Sequence, residues 1–192
     1  MTLAILAGGQ GRRMGMPKGQ LRIHDQPILA YLLDRCAWPG PTLLVTSPGI
    51  DPPPEHDRFD LLISDPVAGQ GPLRGVLTAL EHATTTIAMI ITVDMPELTA
   101  SHLVQLTQTL VAQNGCLGVM YRHEVDGRQM IEPFPLACRT EARAAISEHM
   151  AEGRRAVHSL VDLDGFLAAP APSDWPQSIW LNLNTPEDMD HL

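Results

Sequence analysis

Near the start of the chain a short apolar run breaks into a loop that carries four glycines and three cations: Leu3-Ala-Ile-Leu-Ala-Gly-Gly-Gln-Gly-Arg-Arg-Met-Gly-Met-Pro-Lys18. Glycine at 8, 9, 11 and 15 lets the backbone turn sharply and come close to a ligand. Backbone N–H groups exposed by such a loop cradle anions, and Arg12, Arg13 and Lys18 add positive charge where the chain leaves the sheet. The chemistry implied is phosphate binding. Two better-known phosphate loops fail on register. The dinucleotide fingerprint needs glycine where Met14 stands, and the P-loop needs Gly-Lys-Ser/Thr where this chain has Gly15-Met-Pro-Lys18. Of 13 basic residues only Lys18 is a lysine. It puts a compact point charge where a phosphate would use one, the alternative being a surface loop that happens to hold it.

Two carboxylates follow apolar runs in the same way. Asp94 comes directly after Ile87 to Val93, the most strand-like run in the chain. A carboxylate held at a sheet edge is costly unless it meets a cation or a metal, so Asp94 is the candidate Mg2+ ligand; the alternative is a cap on the turn before Pro96. Asp65 either hydrogen-bonds a nucleotide or caps the turn at Pro66. The eight histidines show no metal-binding spacing and no G-x-S-x-G is present, so metallohydrolase and serine-hydrolase readings have no support.

The elements that must position these groups alternate. Strands are expected at Leu3 to Leu6, Thr42 to Thr46, Leu61 to Ile63 and Ile87 to Val93. Helices are expected from Pro27 to Cys36, Pro72 to His82 and Thr99 to Gln113, each with a proline or cap-type start. Further on, Cys116 to Tyr121 and Met130 to Cys138 read as strands flanking a polar turn at Glu124 to Gly127. Helical patterns cover Glu141 to Met150 and Arg155 to Val161, residues 168 to 178 read as a surface loop, and Trp180 to Asn184 as a final strand before a helix start capped by Thr185. Alternation of this kind predicts an α/β fold of three layers, a mostly parallel sheet with helices on both faces. Ligands of such sheets bind beyond the carboxyl ends of the strands, which brings the glycine loop, Asp65 and Asp94 to one edge. One domain is expected over residues 1–192, with a nucleotide half to about residue 115 and an acceptor half after it.

With 13 basic and 22 acidic residues the formal charge is −9, which excludes a general nucleic-acid or membrane-surface footprint. Between Arg12 and Arg22, however, there are four cations and no acid, a positive patch suited to a small polyanion. Cys36, Cys116 and Cys138 are few, odd in number and widely spaced, as in a reducing compartment. No run approaches a membrane span and no leader pattern opens the chain, so a cytoplasmic protein is expected.

Taken together, Leu6-Ala-Gly-Gly, Arg13-Met-Gly, Lys18-Gly, Asp65 with Gly71-Pro-Leu-Arg-Gly75, Asp94-Met-Pro96, Glu132-Pro133, Gly153-Arg-Arg155 and Asn182-Leu-Asn-Thr-Pro-Glu187 resemble, in order, the molybdenum cofactor guanylyltransferases. The resemblance implies a Rossmann-like nucleotidyltransferase fold and transfer of GMP from GTP to molybdopterin carrying molybdenum, with Mg2+ and release of pyrophosphate. It implies that Leu6, Ala7, Gly8, Gly9, Lys18, Thr46, Asp65 and Asp94 hold the nucleotide, that Lys18, Arg13 and Asp94 are catalytic, and that Asp94 also holds the metal. Arg154, Arg155, Asn182 and Asn184 fall in segments resembling the molybdopterin side of the cleft. Partners implied are GTP, the molybdenum cofactor, cofactor-insertion proteins and molybdoenzymes.

There are departures. The interval from Met14 to Lys18 is one residue shorter than in some members, a spacing shared with cytidylyltransferases, and Thr46-Ser47 stands where the family often has Asn. A CTP-dependent enzyme and a non-catalytic nucleotide or cofactor delivery protein are therefore the rival readings. A purely structural module leaves Gly8 to Lys18 unexplained.

Overall fold

A computed structural model describes residues 1–125 and 127–192; Asp126, part of the expected polar turn, lies outside the described residues. The first strand, β1 (Thr2–Leu6), is buried along its whole length. After the glycine loop a two-stranded ribbon, β2 (Arg22–Ile23) and β3 (Gln26–Pro27), leads into α1 (Ile28–Cys36). Then come β4 (Thr42–Thr46), β5 (Leu61–Ser64), α2 (Pro72–His82), β6 (Ile87–Thr92) and α3 (Ala100–Ala112). The remainder holds the long antiparallel pair β7 (Gly118–Val125) and β8 (Arg128–Arg139), α4 (Arg143–Ala151) and β9 (Phe166–Pro170).

Seven strands form one sheet in the order β5-β4-β1-β6-β8-β7-β9. All pairings are parallel except those of β8, which runs against both β6 and β7. β1 and β4 are buried at every position and β6 at all but its last, because both faces are covered there, the usual condition of parallel sheets. α1 packs with α3, and α2 with α4. On α2 the buried Leu73, Val76, Leu77 and Leu80 recur at helical spacing, so one stripe faces the sheet.

Several features differ from the sequence-based expectation. Residues 168–170 belong to strand β9, which adds to the free edge of β7, whereas Trp180 to Asn184 pairs with no strand. Its backbone is used otherwise: Leu181 N–H donates to Ser178, and Leu183 N–H to the Asp94 carbonyl at 2.9 Å. The expected helix over 155–161 is a 3-10 helix at Val157–Asp162, and the segment after Thr185 is 3-10 as well, at Pro186–His191.

Beyond the strand ends the hydrogen-bond ladder continues for one residue. Ala7 N–H donates to Val45, Asp65 N–H to Thr46 and Val93 N–H to Leu6. Four loops therefore leave the sheet at one level, and that level is the floor of a cleft.

Candidate active site

The cleft has a volume of about 430 Å³ and is walled by the glycine loop, the ends of β4 and β6, and the start of α2. Its loop closes on itself, Lys18 N–H donating to the Gly9 carbonyl at 3.1 Å. Two glycines are required here. A Cβ on Gly8 would sit 2.4 Å from Ser47 Oγ, and one on Gly11, at φ +56°, would fall 1.8 Å from the Met16 carbonyl oxygen. On the opposite wall Gly71, at φ +76°, lets the chain turn into α2 with Pro72 in its first turn, so that the helix N-terminus opens on the cleft. Free N–H groups and the helix dipole favour an anion there.

At the floor Lys18 Nζ donates to Asp94 Oδ2 and, at 2.8 Å, to Asn184 Oδ1. Lys18 and Asp94 side chains are each 14% exposed, so this ion pair is largely shielded from water. The second carboxylate oxygen, Asp94 Oδ1, is buried and has no hydrogen-bond partner among the described residues. A buried carboxylate oxygen left bare is suited to a cation. No cluster of three or more carboxylate, imidazole or thiolate groups stands among the described residues, so a metal held here would take its other ligands from substrate and water, as Mg2+ commonly does.

Asp65 lines the cleft and accepts a hydrogen bond from Thr78 Oγ1 at 2.7 Å, while Arg74 Nε donates to that same hydroxyl at 3.1 Å. Burial pushes the Asp65 carboxyl above its ordinary value, the Thr78 hydrogen bond and the Arg74 charge acting the other way.

The structure brings Leu6, Gly8, Gly9, Lys18, Asp65 and Asp94 together around the cleft. Ala7 is buried behind the loop. Thr46 is turned away, its hydroxyl donating to Ile63, and the residues on the cleft are its neighbours Val45 and Ser47, as strand alternation dictates. Arg13 is exposed on the loop and Arg12 is the arginine that lines the cleft. Arg155 adjoins the rim, its carbonyl 3.1 Å from where a Cβ on Gly71 would stand. Arg154 points elsewhere, to an exposed ion pair with Asp162. Asn184 reaches Lys18 directly, with its own Nδ2 on the Asn182 carbonyl. Ser47 and Thr78 are not legible as site residues in the sequence, whereas Arg12 is expected as loop charge beside Arg13 and Lys18; for Thr78 the one signal is that it lies four positions after Arg74 on the same helix face.

A family model described as the MobA-like NTP transferase domain matches residues 3–164. The chain belongs to that family. It is therefore a nucleotidyltransferase by descent, and its glycine loop and cleft lie within the matched residues. It is 32% identical to the molybdenum cofactor guanylyltransferase of Pseudomonas fluorescens, over 97% of this chain and 90% of that one. The fold is similar to that of molybdopterin-guanine dinucleotide biosynthesis protein A from Archaeoglobus fulgidus, with TM-score 0.78 at 22% identity over 100% of this chain and 96% of that one. It is also similar to 2-C-methyl-D-erythritol 4-phosphate cytidylyltransferase from Thermus thermophilus, with TM-score 0.73 at 16% identity over 98% and 95% of the two chains.

Proposed function

We propose that this protein transfers GMP from GTP to the terminal phosphate of molybdopterin carrying molybdenum, forming the guanine dinucleotide cofactor and pyrophosphate. The observation that carries this reading is the only lysine of the chain, held at the cleft floor by Asp94 on one side and Asn184 on the other. An acceptor phosphate oxygen attacks the α-phosphorus of GTP, and the bond to the bridging oxygen of the β-phosphate breaks. The attacking group is already ionised, so no strong general base is required. What the protein must supply is position and positive charge.

Lys18 and the amides of the glycine loop take the growing charge on the leaving pyrophosphate, and Arg12 adds to it from the loop. Asp94 holds Lys18 through Oδ2 and keeps Oδ1 for a divalent ion. When bound, Mg2+ supplies charge neutralisation to the phosphates. Gly8, Gly9, Ser47 and Asp65 line the nucleotide side; Arg155 and Asn182 adjoin the acceptor side, and Asn184 acts on the acceptor through Lys18. Residues 1–192 work as one domain with a nucleotide half and an acceptor half. No helix among the described residues is long and apolar enough to cross a membrane; the cytoplasmic location and the service to molybdoenzymes rest on the reaction proposed.

The test is thermal unfolding with GTP, CTP, ATP or UTP, each with Mg2+, followed by a pyrophosphate-release assay with molybdopterin. A nucleotide at 100 times its dissociation constant adds about 2.7 kcal/mol, a shift of roughly 5 to 11 °C at this size. A shift with GTP and release of pyrophosphate on adding molybdopterin is the expected result. A larger shift with CTP makes the product a cytosine dinucleotide. Nucleotide binding without pyrophosphate release would overturn the transfer reaction in favour of a delivery protein.

A further inference from the structure

The carboxylate of Asp65 reaches the nucleotide cleft from the loop after β5, and its two oxygens have different surroundings. The sheet fixes its backbone, Asp65 N–H donating to the Thr46 carbonyl at 2.8 Å. Helix α2 fixes its side chain. Oδ1 accepts from Thr78 Oγ1 at 2.7 Å, whereas no group among the described residues donates to Oδ2.

Thr78 is 1% exposed and lies behind the cleft rather than on it. A threonine inside a helix commonly turns its hydroxyl back onto the carbonyl four residues earlier. On α3 Thr107 and Thr109 do so, donating to the Leu103 and Gln105 carbonyls at 2.9 and 3.0 Å. Thr78 departs from that habit. The one proton of its hydroxyl goes to Asp65, and its oxygen accepts from Arg74 Nε at 3.1 Å. Arg74 is held from its other end, where Nη2 donates to Glu81 Oε2. Positions 74, 78 and 81 share one face of α2, so a line of polar contacts runs down the helix and ends on Asp65.

Burial works against a charged Asp65, and the Thr78 hydrogen bond and the Arg74 charge work for it. Glu81 opposes them, but it is paired with Arg74. The other charged or titratable groups around Asp65 are Arg12, Lys18 and Asp94 on the cleft, Arg155 at its rim, and His82, whose Nδ1–H donates to the Thr78 carbonyl at 2.9 Å. A nucleotide entering the cleft brings further negative charge, which makes a neighbouring carboxylate harder to keep ionised. An ionised carboxylate is the form that only accepts, as an N–H or O–H of a nucleoside requires.

We propose that Thr78 and Arg74 are positioning residues of the nucleotide site: Arg74, steadied by Glu81, aims the Thr78 hydroxyl at Asp65 Oδ1, and this holds Oδ2 as a fixed acceptor for an N–H or O–H group of the nucleoside; this rests on the nucleotide chemistry proposed above. Neither residue touches the ligand. Both act through Asp65, one by direction and the other by direction and charge.

Calorimetric titration with GTP and with CTP, each with Mg2+ and across about pH 5–8, tests it. Thr78→Val, close in shape but without the hydroxyl, is expected to weaken nucleotide binding about tenfold, and Thr78→Ser to restore it. Arg74→Met is expected to weaken binding severalfold. In the Val and Met variants the pH below which binding fails is expected to move up, because a carboxylate deprived of its donor or its cation takes a proton more readily. In an Asp65→Ala background Thr78→Val is expected to add nothing, whereas a merely structural role would persist there. If Thr78→Val does not fold, the same cycle with Arg74→Met decides. Binding and pH profile like wild type in the variants, a Thr78→Ser protein as weak as Thr78→Val, or an undiminished effect without Asp65 overturns the relay and leaves the function standing. Wild-type protein that binds neither nucleotide overturns both.

Discussion

The two halves of the molecule meet at the cleft by different means. In residues 1–115 the cleft is built from glycine-loop amides and the N-terminus of α2 together with the side chains of Lys18, Asp65 and Asp94, set by parallel strands whose ends are level. In residues 116–192 it is a side chain, Asn184, on an irregular segment fixed by single hydrogen bonds rather than by a ladder. Backbone sites need only the right fold and tolerate sequence change, whereas side-chain sites are lost one residue at a time. Asn184 is where the second half reaches into the first.

The largest effect that would sharpen this contrast is expected from Lys18→Ala. Loss of one charge aimed at the developing pyrophosphate should lower kcat by about 10²–10³-fold, measured by pyrophosphate release. Near wild-type turnover would remove Lys18 from the mechanism. Next is Asn184→Ala, which frees Lys18 from its acceptor-half partner while leaving Asp94 in place. The expected loss is about tenfold in kcat with the GTP KM preserved, in line with one hydrogen bond to a charged group. An effect confined to the acceptor KM would instead make Asn184 a simple ligand contact.

A smaller effect is expected at Asp65. Its carboxyl is raised above its unfolded value of 3.8 by burial, so its contribution to stability is present below that value and lost as pH rises through the native one. Asp65→Asn is thus expected to melt higher than wild type without nucleotide at about pH 7, the gap closing toward about pH 3, while GTP binding weakens. Unfolding scans across that range check the sign. The smallest effect belongs to Arg154→Ala. Its ion pair with Asp162 is 53% and 58% exposed. The expected cost in unfolding free energy is about 0–1 kcal/mol, with no change in either KM. A raised acceptor KM would return Arg154 to the acceptor side.

What could be read from the sequence follows the same division. Strands Thr2–Leu6 and Ile87–Thr92 announce themselves because both faces are buried and all but the terminal threonines are apolar. Pro72 after a glycine marks the start of α2 with equal plainness. In the second half, β9 is hidden by its Ala- and Pro-rich composition, since an edge strand owes its conformation to the neighbour it pairs with, here β7. Trp180 to Asn184 misleads in the other direction: alternating Leu and Asn look like a strand, but the amides are drawn to Asp94 and Asp188. At the site, Gly8, Lys18, Asp65 and Asp94 stand out by type and spacing. The contrasts between Thr46 and Ser47, and between Arg13 and Arg12, turn on side-chain direction, which strand alternation fixes in one case and an irregular loop in the other.

Lys18 and its partner Asn184 are 166 residues apart in the chain. During synthesis at about 5–20 residues per second, the glycine loop emerges roughly 8–33 s before the segment that completes it. Throughout that interval Lys18 lacks its Asn184 partner, and it is fully positioned only after the segment from Asn182 to Asp188 has folded against it.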